Sequence, residues 1–123
     1  MIQILSVGAG GFIGAVLRFL MGKLSLKEMT VFPVNTLLIN LIGAFVIGIA
    51  VAAGARYGTE NSEVMLFLRI GLCGGFTTFS TFSLEGLALI QTGHFLMFMA
   101  YAVLSVVLCI LAVWLGQAVT AVF

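Results

Sequence analysis

Charge is scarce in this sequence: five basic and four acidic side chains serve 123 residues, a share of 7%, where an ordinary soluble domain carries roughly 25%. So few ions cannot cover the surface of a water-soluble fold of this size, which excludes that class and leaves a bilayer as the solvent. The formal net charge of +1 offers neither a basic stripe nor an acidic tail, so nucleic acid is excluded as a partner. The two cysteines, Cys73 and Cys109, fall inside apolar runs and read as small packing residues, not as a disulfide or a metal pair. No Ser, His and Asp set and no cluster of metal ligands appears, so hydrolysis and metal catalysis have no support and an enzyme is not expected.

What the sequence has in abundance is apolar length. A helix needs about 20 mainly apolar residues to span a bilayer, and four stretches qualify: Ile2 to Met21, Phe32 to Ala55, Val64 to Gln91 and Phe95 to Val119. The expected architecture is all-α, a single four-helix transmembrane domain over residues 1–123 with no soluble domain. The first span lacks the basic start and small-residue cleavage site of a signal peptide. Lys23, Lys27 and Glu28 lie between the first two spans, Arg56, Glu60 and Glu63 between the second and third, and His94 in the last turn, where it reads as an ordinary surface residue. Trp114 and Tyr57 suit the interfacial aromatic belts.

Orientation follows the Lys and Arg near span ends. Here Arg18, Lys23 and Lys27 on one side face Arg56 and Arg69 on the other, three against two. A bias this weak permits insertion both ways round and makes an antiparallel dimer available. Small residues at helical spacing, Gly10 with Gly14 and Asn40 with Ala44 and Gly48, mark faces where helix backbones approach closely.

Two glycine-rich runs invite a chemical reading. Gly8-Ala9-Gly10-Gly11-Phe12-Ile13-Gly14 superficially follows a dinucleotide fingerprint, but that motif requires alternating strands and helices, so helix packing is the better account. The second run, Gly74-Gly75-Phe76-Thr77-Thr78-Phe79-Ser80-Thr81-Phe82-Ser83, sets five hydroxyls within seven residues behind a glycine pair. Hydroxyls compete with the helical ladder for backbone groups, and each interior glycine costs about 1 kcal/mol relative to alanine. The third span is therefore expected to be broken near its middle, around Gly74 to Thr78. Irregular backbone at membrane depth is tolerated where it is buried in protein or lines an aqueous or ionic path. Phe79 and Phe82, at i and i+3, can turn positive ring edges toward a dehydrated anion, with the hydroxyls and the Asn40 amide as donors.

Three further polar positions stay open on the residues alone. Asn40 suits either an ion or interhelical hydrogen bonding, Arg18 either snorkels or lines a vestibule, and Glu85 pairs with Arg69 or a neighbour, or faces water. Asn35, after Pro33, reads as a cap or turn residue.

The run from Gly74 to Ser83, together with Gly8-Ala9-Gly10-Gly11-Phe12-Ile13-Gly14-Ala15-Val16-Leu17-Arg18-Phe19 and Asn35-Thr36-Leu37-Leu38-Ile39-Asn40-Leu41-Ile42-Gly43, resembles the Fluc (CrcB) fluoride channels, and the resemblance spans the chain. It implies a dual-topology antiparallel homodimer, surrounded by membrane lipid, whose two pores export fluoride passively across a bacterial cytoplasmic membrane. It also implies fluoride binding by the ring edges of Phe79 and Phe82, a hydrogen bond to fluoride from Asn40, and a polar track through Ser80 and Thr81. Ser105 and Tyr101 join that track by approximate placement in the fourth span, and Arg18 corresponds to a vestibule arginine. The carbonyls of Gly74 and Thr77 are implied to hold a structural sodium ion at the dimer interface. Two rivals fit less well. A small multidrug-proton antiporter needs a titratable carboxylate, and the only one in a span is Glu85, beyond the polar segment. A non-transporting assembly subunit leaves that segment unexplained.

Overall fold

The computed structural model describes residues 1–24 and 30–123; Lys27 and Glu28, expected in the first connection, lie outside the described residues. Four helical spans are long and apolar enough to cross a bilayer. The first is α1 (Ile2–Gly22) and the second α2 (Val34–Tyr57). The third, Glu63–Gln91, is composite: α3 (Glu63–Leu66), a π-helical stretch (Phe67–Cys73), α4 (Gly74–Phe76) and α5 (Phe79–Gln91). The fourth is α6 (Phe95–Val122). The third span is the least apolar, with a mean hydropathy of 1.4 against 2.7 for the fourth, because it carries the hydroxyl cluster. The chain is an all-helical, multi-pass membrane protein.

Local chemistry sets the boundaries. The second span starts at Val34, not Phe32, because a residue before proline is pushed out of the helical region and Pro33 itself sits outside it, at φ −75 and ψ 68. That span ends where Gly58 takes a left-handed φ of 65, a conformation glycine adopts without a Cβ penalty. Ser62 caps the next helix by accepting from Met65 N at 3.2 Å. Asn35 does not cap its own helix: its amide donates to Leu24 O at 3.1 Å, closing the exposed carbonyl end of α1. At the other membrane face Arg56 Nη1 donates to Thr120 O at 2.9 Å, placing a cation at the negative end of α6.

Lipid supplies no hydrophobic drive between helices, so the spans meet where side chains are absent. α1 lies against the π stretch and α4, and α2 lies against α6. A Cβ on Gly71 would stand 2.7 Å from Val7 O and one on Gly75 2.6 Å from Gly11 O; Gly10 and Gly14 meet the same backbone from the α1 side. On the second pair, a Cβ on Gly48 would collide with Val113 O and one on Gly116 with Phe45 O. Thus the Gly10, Gly14 stripe is a backbone contact face, as is Gly48 at the end of the second stripe, whereas Asn40 and Ala44 line an open groove. The large apolar side chains point outward, Phe12 and Trp114 among them, as a lipid-facing surface requires.

Candidate functional site

Between α4 and α5 two residues leave the helical region. Thr77 has φ −77 and ψ 160 and Thr78 has φ −152 and ψ 122, both extended. Extended backbone within an apolar span must find partners for its polar groups, and each group of this dipeptide has one. Thr77 N–H bonds Cys73 O at 3.0 Å. Thr77 O accepts from Arg18 Nη1 at 3.3 Å. Thr78 N–H donates to Asn40 Oδ1 at 2.8 Å, and Thr78 O accepts from Asn40 Nδ2 at 3.0 Å. The Asn40 carboxamide, from α2, therefore pairs with Thr78 much as a neighbouring strand would.

The side chains complete the turn. Thr77 Oγ1 donates back to Cys73 O at 2.8 Å. Thr78 caps α5, its Oγ1 accepting from Thr81 N at 3.1 Å and donating to Thr81 Oγ1 at 3.0 Å, with Ser80 Oγ at 3.3 Å. Gly43, one turn along α2 from Asn40, leaves the space that the Thr77 methyl fills. The cluster of hydroxyls is thus largely occupied with holding backbone, as its local hydrogen-bonding habit predicts.

An open groove of about 480 Å³ runs beside this segment, lined by Asn40, Thr77, Thr78, Phe79, Phe82 and Ser105, with Gly74 and Arg69 farther along. Phe79 is 78% exposed, and its ring centroid lies 5.4 Å from that of Phe82 with the planes tilted by 32°. Phe82 in turn leans on Tyr101, centroids 4.9 Å apart. Tyr101 is fully buried and also meets Phe32 edge-on at 5.5 Å. The hydroxyls of Tyr101 and Ser105 are buried with no hydrogen-bond partner among the described residues, so both remain available as donors. Of the positions named from sequence, Asn40, Phe79, Phe82 and Ser105 share the groove with Gly74 and Thr77. Ser80 and Thr81 lie on the cap of α5 and Tyr101 behind Phe82.

The sequence left one choice open and missed two features. Glu85 neither faces Arg69 nor stands alone: its Oε1 accepts from Thr36 Oγ1, a contact across 49 positions. Arg69 lines the groove and keeps a buried Nε without a partner among the described residues. The π-helical stretch has no signature in composition, although such wide turns occur often at functional sites. Arg18 was legible in one respect, since it continues the Gly10, Gly14 spacing by one more turn.

The family profile described as CrcB-like protein, Camphor Resistance (CrcB) matches residues 5–117. The chain is 42% identical over 118 residues to a protein of Ruminiclostridium cellulolyticum named "Fluoride-specific ion channel FluC", covering 95% of this chain and 91% of that one. It is 38% identical over 122 residues to a protein of the same name from Azobacteroides pseudotrichonymphae, covering 98% of both. A third protein of that name, from Methylobacterium radiotolerans, is 45% identical over 116 residues, covering 91% of this chain and 80% of that one. A match of this extent to channels, none of them an enzyme, makes the chain a member of the CrcB family.

Proposed function

We propose that this protein is a fluoride-selective channel that exports fluoride passively across a bacterial cytoplasmic membrane. The observation that carries the reading is the extended Thr77–Thr78 pair, held by Asn40 and opening onto a groove edged by Phe79 and Phe82. In this reading the pair divides the third span into two functional half-helices. The Asn40 amide spends one N–H on Thr78 O and keeps a second for an anion, since a carboxamide nitrogen carries two. The edges of Phe79 and Phe82 are electropositive, and Ser105, which also lines the groove, adds a hydroxyl donor. Fluoride is small and strongly hydrated, so its path must replace water with closely spaced fixed dipoles, as other filters do. Glu85 is engaged by Thr36, which disfavours the antiporter alternative.

The working unit in this reading is an antiparallel homodimer with two pores. Phe79 stands exposed on the open side of the groove in a single chain, so a second copy is needed to wall the path, and the near-balanced basic residues permit opposite insertion. The backbone also suits the sodium ion expected between the copies. In an uninterrupted helix Thr78 N–H would bond Gly74 O; here it bonds Asn40 Oδ1, which releases the Gly74 carbonyl. Thr77 O carries one bond, from Arg18, and a carbonyl has two lone pairs. Uncharged oxygens of this kind match a hard cation, which supports Gly74 and Thr77 as its holders in this reading. When bound, sodium supplies positive charge that draws the two extended segments together.

Reconstitution tests the function directly. Liposomes loaded with fluoride, carrying the purified protein and a potassium ionophore, should release fluoride to an external electrode. Release no faster than from empty liposomes would exclude the channel.

A further inference from the structure

Resting on the channel reading above, we infer that Arg18 is a positioning residue for the extended segment and not simply a charge that concentrates anions at a vestibule. The inference starts from register. Gly10, Gly14 and Arg18 recur at i, i+4 and i+8, one face of α1. The first two have no side chain, and each meets third-span backbone: a Cβ on Gly10 would stand 2.8 Å from Leu72 N, and one on Gly14 2.7 Å from Phe76 N. One turn further the same face reaches Thr77, and there the position carries the longest donor available. The guanidinium extends along the interface to Thr77 O, at 3.3 Å across 59 positions of sequence.

Thr77 O has particular need of that donor. Of the four backbone polar groups in the dipeptide, Thr77 N–H is satisfied within its own turn and both groups of Thr78 by Asn40. Thr77 O alone depends on α1. Without Arg18 it keeps no hydrogen-bond donor from its own chain at membrane depth, and the dipeptide gains by continuing the helix or rotating away. Either movement would shift Phe79 and Phe82, on the first turn of α5, relative to Asn40 on α2. Arg18 on one side and Asn40 on the other thus clamp the segment between two helices that themselves make little contact.

The two roles differ in their response to salt. A charge acting through solvent is screened, with a Debye length of about 8 Å at 0.15 M and about 3 Å at 1 M ionic strength. A direct hydrogen bond is not. The experiment compares wild type, Arg18→Lys and Arg18→Met as purified dimers in fluoride efflux at about 0.1 M and about 1 M salt, with hydrogen exchange of the peptide covering residues 74–82 alongside. Positioning predicts that Arg18→Met loses flux at least about tenfold at both salt concentrations, leaks chloride, and exchanges faster over residues 74–82, while Arg18→Lys restores most of the flux. Convergence of Arg18→Met with wild type at high salt, or unchanged exchange, would overturn it. Should Arg18→Met not assemble, Arg18→Ala, which likewise removes the donor, is judged by the same criteria. A wild type that conducts nothing defeats the channel reading alone, because exchange still reports on Arg18.

Discussion

Replacing Asn40 by Asp isolates one atom of the site. The change is nearly isosteric and keeps an oxygen to accept from Thr78 N–H, now bonded at 2.8 Å, but it removes the nitrogen that donates to Thr78 O at 3.0 Å. A carbonyl left without its partner in a part-buried site costs about 1–3 kcal/mol. At about 1.4 kcal/mol per tenfold, the population holding the extended segment falls by about 5- to 150-fold, and fluoride flux with it. The lost second N–H and the negative charge act in the same direction, since a carboxylate offers an anion only acceptors. The assay is fluoride efflux from liposomes, with size-exclusion chromatography to show that the dimer persists. Asn40→Ala, which also orphans Thr78 N–H, should lower thermal stability further. Flux of Asn40→Asp within about twofold of wild type, a change worth under 1 kcal/mol, in an intact dimer would refute the clamp.

Phe79→Ile and Phe82→Ile should each suppress fluoride efflux while leaving the fold in place, because they remove electropositive ring edges and keep apolar bulk; unimpaired flux in both would remove the phenylalanines from the path. Gly48→Ala should lower the melting temperature in detergent, by overpacking worth about 1–3 kcal/mol, since its Cβ meets Val113 backbone. Gly8→Ala, with nothing within 4 Å, should be neutral or stabilising by about 0.5–1 kcal/mol. Exchanging sodium for a large organic cation during purification should shift the dimer toward monomer on dilution, and an unaltered dimer would leave Gly74 and Thr77 without a cation to hold.

Much of the molecule was legible before folding. Length and apolarity alone mark the four spans, because a long apolar helix satisfies its own backbone groups where lipid offers no partner. The Gly10, Gly14 and Asn40, Gly48 spacings mark contact faces because helical period places those positions in line. The run from Gly74 to Ser83 announces irregular backbone through its hydroxyls. Its glycines, however, are helical, and the extended residues are Thr77 and Thr78; glycine permits an interruption, whereas the partners offered by Arg18 and Asn40 decide where it falls.

The remainder lay beyond any local pattern. Periodicity reports on neighbours three or four positions apart, but the contacts that make the site join residues 38, 49 and 59 positions apart. Asn40 was open to an ion or to interhelical bonding, and the fold gives its carboxamide to Thr78 on both sides while leaving one N–H over. Glu85 was open to Arg69, to another neighbour or to water, and the fold brings Thr36 to it across 49 positions. By itself the sequence determined that this chain crosses a membrane four times and where polarity gathers within it; the tertiary structure decided which polar group answers which, because hydrogen bonds are short and directional and are chosen only once the helices have docked.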